Sequence, residues 1–183
     1  MTETEQELIE ALRQHDRQAQ RQVLERYGPE VFALVARLLT SREDVEEAYH
    51  DVFVKMFQTI GRYDEQRSTL RTWLSRLAYH ETVDRLRRKR QPMVYFDDSN
   101  ADSLSDQEAA EMLGQPNSET VQLIRAALQH LPPEERTIVN MFYYEERSLK
   151  EIAYITESLP TTVASRLSRT RKKLCRIIKM LQS

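Results

Sequence analysis

Only three glycines (Gly28, Gly61 and Gly114) occur in 183 residues. Phosphate-cradling loops and tight hairpins need glycine for close backbone approach and positive φ, so both are nearly excluded. No Asn-Gly or Asp-Gly pair and no useful alternating run is present, and the chain reads as all-α. One cysteine, Cys175, leaves no disulfide framework and fits a reducing compartment. No apolar run approaches the roughly 18 residues that a membrane span requires, so no membrane insertion is expected. The opening MTETEQELIE is acidic, unlike a secretory signal, and a cytoplasmic protein is expected. His15, His50, His80 and His130 are isolated, without a ligand partner at i+3 or i+4, and no nucleophile elbow appears. Neither an enzyme nor a metal, cofactor or small-molecule substrate is expected.

Charge is abundant, but its sum is only −2. Its distribution is uneven. Residues 85–90 hold five cations, and residues 161–183 hold seven with no acid. Between them, residues 97–119 hold seven acids and no base. Two basic ends around an acidic bridge point to two anion-binding surfaces on separate modules.

The first module is expected over residues 1–92. Residues 8–27 read as a helix that Gly28-Pro29 breaks, and residues 30–39 as a second. Ser41 offers an N-cap, with Asp44 as a box partner. The helix that follows repeats Val45, Ala48, Tyr49, Val52, Phe53, Met56 and Phe57 at helical spacing, and Gly61 ends it. After the loop RYDEQRST comes another helix, stopped by Pro92. Residues 93–117 lack periodicity and read as a flexible acidic linker, with MVYF a short anchor.

The second module is expected over residues 118–183. Pro132-Pro133 stops its first helix. Ser148 and Glu151 form a capping box that opens a short helix. A turn at residues 156–158 leads into a long basic helix whose buried stripe is Val163, Leu167, Thr170, Leu174, Ile178 and Leu181. A short capped helix, a turn and a longer basic helix outline a helix-turn-helix.

Three surfaces stand out. Trp73, Arg76, His80, Asp84 and Arg87 share one helical face. Guanidiniums pair with phosphates and aromatic rings stack on exposed bases. Pattern alone leaves a second reading of that stripe, a core tryptophan with solvated cations. On the long helix, Thr161, Thr162, Ala164, Ser165, Ser168 and Arg169 form a small polar edge suited to base contacts, and Lys172 and Lys173 suit phosphates. The alternative there is an amphipathic helix for a membrane or a protein partner. Glu46, Glu47, His50, Asp51 and Lys55 form a mostly acidic face, either solvated or fit for a basic protein helix.

The segment SREDVEEAYHDVFVKMFQTIGRYDEQRSTLRTWLSRLAYHETVDRLRRKR resembles region 2 of sigma factors of the extracytoplasmic-function (ECF) type. LPPEERTIVNMFYYEERSLKEIAYITESLPTTVASRLSRTRKKL resembles their region 4. Two motifs in this order make the likeness specific. It implies a promoter-specificity factor for core RNA polymerase, held on the β′ clamp helices and the β flap and controlled by an anti-sigma factor. It implies polymerase contacts at Glu47, His50 and Asp51. It implies −10 promoter contacts at Asp64, Gln66, Arg67, Ser68, Thr69, Trp73, Arg76, His80, Arg85, Arg87 and Arg88, some of them to a flipped base. It implies −35 contacts at Thr161, Thr162, Ala164, Ser165, Arg166, Ser168, Arg169, Lys172 and Lys173. The pattern departs at His50, where the family often has Gln, at His80, where it often has Asn, and near Glu157, where it usually has Gly. Housekeeping sigma factors carry paired Trp where Trp73 precedes Leu74, which implies weaker melting and a stringent promoter choice. The alternative is a helix-turn-helix regulator that acts without core polymerase.

Overall fold

The computed structural model describes residues 5–89, 105, 107, 109 and 118–182. Among them no strand occurs, and the expected all-α class holds. The described residues fall into two compact units, one reaching Lys89 and including Tyr154–Glu157, the other holding the rest.

The first unit starts with α1 (Glu5–Arg13), which buries Leu8, Ile9 and Leu12. It ends at His15, whose φ of 58° is left-handed. His15 N–H donates to Leu12 O at 3.0 Å and Asp16 N–H to Ala11 O at 3.0 Å. This is a Schellman ending with a histidine where glycine is usual. The Asp16 side chain then accepts from Ala19 N–H at 2.8 Å and opens α2 (Arg17–Leu38).

The helical break is therefore at residues 14–16, and Gly28-Pro29 lies inside α2. This corrects the expected break. Pro29 removes one N–H from the helical ladder, at a cost of about 3 kcal/mol. Burial offsets it, because Ala19, Val23, Tyr27, Val31, Leu34, Val35 and Leu38 form one continuous stripe across the Gly-Pro pair. Gly28 serves close packing: a Cβ there would stand 2.7 Å from the Tyr49 hydroxyl.

Ser41 caps α3 (Arg42–Thr59), accepting from Asp44 N–H at 3.4 Å. The Asp44 carboxylate pairs with Lys89 and does not complete the expected box. A 3-10 turn, Ile60–Arg62, follows and contains Gly61, which keeps an ordinary φ. Thr69 caps α4 (Leu70–Arg88), accepting from Thr72 N–H at 3.2 Å. Helices α2, α3 and α4 pack on one another. Their core includes Leu34, Leu38, Val52, Met56, Leu70 and Leu74, all nearly inaccessible. α4 also buries Ser75 and Thr82, whose hydroxyls donate to Arg71 O and Ala78 O at 2.8 and 2.7 Å. Those bonds satisfy groups that would otherwise be costly to bury. Arg71 Nε donates to both carboxylate oxygens of Glu30 of α2, at 3.0 and 2.8 Å.

The second unit contains α5 (Ser118–Gln129), α6 (Pro133–Tyr143) and α8 (Pro160–Leu181), with α7 (Leu149–Thr156) between the last two. α8 packs on α5 and α6 through Val163, Leu167, Leu174, Ile177 and Ile178. Leu181 is 43% exposed, which removes it from the expected buried stripe. Most of the expected linker, MVYF included, lies outside the described residues. Of the three linker residues described, Gln107 and Ala109 are helical. Ala109 is fully buried, and the Cys175 thiol donates to its carbonyl at 3.7 Å.

Candidate nucleic-acid interface

Between the 3-10 turn and α4, the chain makes a short loop pinned at both feet. Tyr63 is 5% exposed, and its ring lies 5.4 Å from that of Trp73. Its hydroxyl donates to Ser68 O at 2.9 Å. Inside the loop, the Asp64 side chain accepts from Gln66 N–H at 2.9 Å, and Asp64 O accepts from Arg67 N–H at 3.1 Å. The side chains of Asp64, Glu65, Gln66, Arg67 and Thr69 are left exposed, and Ser68 is partly so.

Along α4, Arg76 and His80 are partly exposed and Arg87 and Arg88 are exposed. Trp73 is only 7% exposed. The shared face is real for the cations, but its tryptophan belongs to the core beneath them. No indole is offered as a wedge, so the expected stringency cannot rest on Trp73.

Arg85 joins two surfaces that the sequence kept apart. Its Nη1 meets Glu47 Oε2 at 2.5 Å and its Nη2 meets Asp51 Oδ2 at 2.6 Å. Hydrogen bonding to Glu47 leads in holding the Arg85 guanidinium above its ordinary pKa, with burial opposing and Asp51 adding. Lys89 pairs with Asp44 one turn further on. The acidic face of α3 is thus partly neutralised by the basic end of α4. His50, Glu47 and Asp51 remain exposed on α3. A cleft between the helices is lined by Ala48, Asp51, Glu81, Arg85, Arg88 and Lys89.

In the second unit, Ser148 and Glu151 cap α7 reciprocally: Ser148 N–H donates to Glu151 Oε2 at 2.9 Å, and Glu151 N–H donates to Ser148 Oγ at 3.2 Å. The helix ends with Glu157 at φ 51° and Ser158 N–H donating to Ala153 O at 3.0 Å. A glutamate thus occupies the left-handed position that glycine would favour. Leu159 then N-caps α8 without a side-chain bond, and Pro160 takes the first helical position. Thr161, Ser165 and Arg169 are exposed at successive i+4 steps. Ser165 Oγ donates to Thr161 O at 3.0 Å, and Arg169 Nε to Ser165 O at 3.4 Å. Thr162, Ala164, Arg166, Ser168 and Lys172 are partly exposed beside them.

The sigma-70 region 2 family model matches residues 23–91, and the sigma-70 region 4 model matches residues 121–174. The chain belongs to the sigma-70 family. It is 28% identical to the ECF RNA polymerase sigma factor SigW of Bacillus subtilis, over 91% of this chain and 92% of that protein. It is 26% identical to the ECF sigma-E factor of Escherichia coli K12, over 93% and 92%. Its fold is similar to that of RpoE of Bartonella quintana, solved with the anti-sigma factor NepR, with a TM-score of 0.62 at 20% identity over 87% of this chain and 96% of that one. It is also similar to CnrH, solved with the cytosolic domain of CnrY, with a TM-score of 0.66 at 20% identity over 94% and 96%. The chain is an ECF-type sigma factor, and proteins of this family bind core RNA polymerase and promoter DNA.

On this sigma factor, the loop, α4 and the acidic face of α3 fall in region 2, and α8 in region 4. Among the expected phosphate contacts, Arg85 and Lys173 are engaged inside the protein. Arg85 is taken by Glu47 and Asp51, as described. Lys173 is 7% exposed and its ammonium pairs with Glu135 of α6 at 3.2 Å. Three residues escaped the sequence reading: Tyr63, Glu135 and Arg13, whose Nη2 donates to Tyr63 O at 3.2 Å. The aromatic at the head of RYDEQRST was a usable signal for Tyr63. Nothing local pointed to the other two. Among the described residues no His, Cys, Asp and Glu cluster could hold a metal ion, and no helix is long and apolar enough to cross a membrane.

Proposed function

We propose that region 2 meets the −10 element through residues 64–69 and the exposed cations of α4, and that region 4 reads the −35 element with the start of α8. Core polymerase docks on the acidic face of α3 at Glu47, His50 and Asp51. An anti-sigma factor controls the protein in the cytoplasm, and the protein has no catalytic role of its own. The two DNA-facing units sit on one chain, so polymerase that holds both raises the effective concentration of each for its half of the promoter.

The observation that carries this reading is the leading edge of α8. Thr161, Ser165 and Arg169 are small or flexible, exposed and stacked along one face. Among the described residues Arg169 is held through Nε, which leaves its terminal nitrogens for a ligand. A guanidinium there can fork onto the O6 and N7 of guanine in the major groove.

The test is run-off transcription by the reconstituted holoenzyme on genomic fragments, with start sites mapped to reveal both promoter elements. Arg169→Ala is expected to lower −35-dependent initiation roughly 5- to 150-fold, the range for losing one bidentate base contact. Core pull-down is expected to be unaffected by that change. Unchanged initiation by Arg169→Ala would remove the α8 assignment. Failure of the wild-type chain to retain core polymerase would favour a regulator acting alone.

A further inference from the structure

The loop at residues 64–69 owes its shape to one buried phenol. Four separate anchors converge on Tyr63. Its ring packs beside that of Trp73, at 5.4 Å between centroids. Its hydroxyl donates across the loop to Ser68 O at 2.9 Å. Its own carbonyl accepts from Arg13 Nη2 of α1 at 3.2 Å. Its N–H closes the preceding 3-10 turn on Ile60 O at 3.0 Å. Burial pushes the Tyr63 pKa above its ordinary value, so the phenol keeps its proton and donates across the working pH range.

These contacts fix the two feet of the loop, while the side chains between them point to no core: Asp64, Glu65, Gln66 and Arg67 are all exposed. A loop ordered before it meets its ligand loses less entropy on binding than one that must be ordered by it. Its shape also discriminates better, because a misplaced edge group cannot adapt to the wrong base. We infer that Tyr63 is a positioning residue for capture of the melted promoter strand, closing the loop through its hydroxyl, with Arg13 of α1 bracing it from behind. This rests on the proposed role of residues 64–69 at the −10 element. Arg13 lies outside the segment that the region 2 model matches.

The variant Tyr63→Phe separates the hydroxyl from the ring. It keeps the aromatic packing on Trp73 and removes only the bond to Ser68. The experiment uses the full chain assembled with core polymerase. The probes are fluorescent single-stranded oligonucleotides carrying the non-template −10 sequence, with each of the four bases in turn at every position. The readout is the ratio of affinities between the preferred base and the others. Tyr63→Phe is expected to reduce that ratio about 5-fold, the worth of one neutral hydrogen bond. Its affinity for core polymerase and its thermal midpoint are expected to stay close to wild type. Arg13→Ala is expected to reduce the ratio in the same sense, and Arg13→Lys, which retains a donor, to restore part of it. A purely structural role would lower the midpoint and leave the ratio alone.

Gln66→Ala and Arg67→Ala distinguish the two levels of the reasoning. If they alter strand binding while Tyr63→Phe leaves the ratio unchanged, the positioning role is wrong and the loop assignment stands. If neither loop variant alters strand binding, the loop assignment fails and the positioning role falls with it.

Discussion

Gly28 sits in the middle of α2, where glycine is normally a weakness. Replacing it with alanine should add about 1 kcal/mol to stability through helix propensity alone. Here the new Cβ would lie 2.7 Å from the Tyr49 hydroxyl. The Tyr49 ring has little room to retreat, because it packs edge-on against Phe32 and Phe53 at 5.8 and 5.0 Å between centroids. Overpacking of this kind costs about 1–3 kcal/mol. The net expectation for Gly28→Ala is a loss of about 0–2 kcal/mol, the difference of those two terms. The clash resides in one atom. In a Tyr49→Phe background the nearest remaining ring atom is Cζ at 3.8 Å, an ordinary contact. There the same alanine should be better tolerated by about 1–3 kcal/mol, since the Tyr49 clash is gone and only the crowding of a pre-proline Cβ against Pro29 remains. Urea unfolding of the full chain, followed by fluorescence of Trp73, reads the first unit selectively, since that residue is the sole tryptophan and is buried in its core. The four proteins form a double-mutant cycle with an expected coupling of about 1–3 kcal/mol. An equal effect of alanine in both backgrounds would refute the packing role of Gly28.

Two further outcomes are expected. Arg85→Ala should cost little stability, because exposed ion pairs contribute about 0.2–1 kcal/mol each and weaken with salt. It should instead free Glu47 and Asp51, tightening core polymerase binding at low ionic strength; weaker core binding would contradict the masking of that face by Arg85. Tyr27 is pushed up to about 12, first by burial and then by the charge of Glu5, which accepts its hydroxyl at 3.2 Å, with Arg26 opposing. Its folded-state pKa lies above the ordinary 10, so its contribution to stability is complete below pH 10 and disappears as pH rises towards 12. Tyr27→Phe should flatten the fall in stability over that window, and an unchanged slope from pH 10 upwards would remove Tyr27 as its source.

The helical class, the order of the two modules, the caps at Ser41 and Ser148 and the helix-turn-helix outline were legible along the chain. Each rests on residues within a turn or two of one another, where hydrogen bonding and periodicity leave few choices. The absence of Gly from the turn after α7 was legible, and left either a non-glycine residue at positive φ or a turn of another shape; Glu157 takes the positive φ. Local rules failed where burial outweighed them. Gly28-Pro29 looks like a break, yet α2 runs through it because its apolar stripe is continuous. His15 looks like an ordinary helix residue, yet it carries the ending that Asp16 makes possible.

Charge was the property least determined by sequence. A run of cations announces a basic surface, but it does not say which of them are already paired. Arg85 meets Asp51 across 34 positions of chain, and Lys173 meets Glu135 across 38. No periodic pattern encodes such partners, because they depend on which helix faces pack. The sequence by itself determined that this is a two-module helical sigma factor with strongly basic helix segments. Only the tertiary structure decided that Trp73 is core and that Arg85 and Lys173 are engaged within the protein, since both depend on how helices distant in the chain pack together, and that the Tyr63 hydroxyl closes its loop, since no periodic pattern encodes that bond.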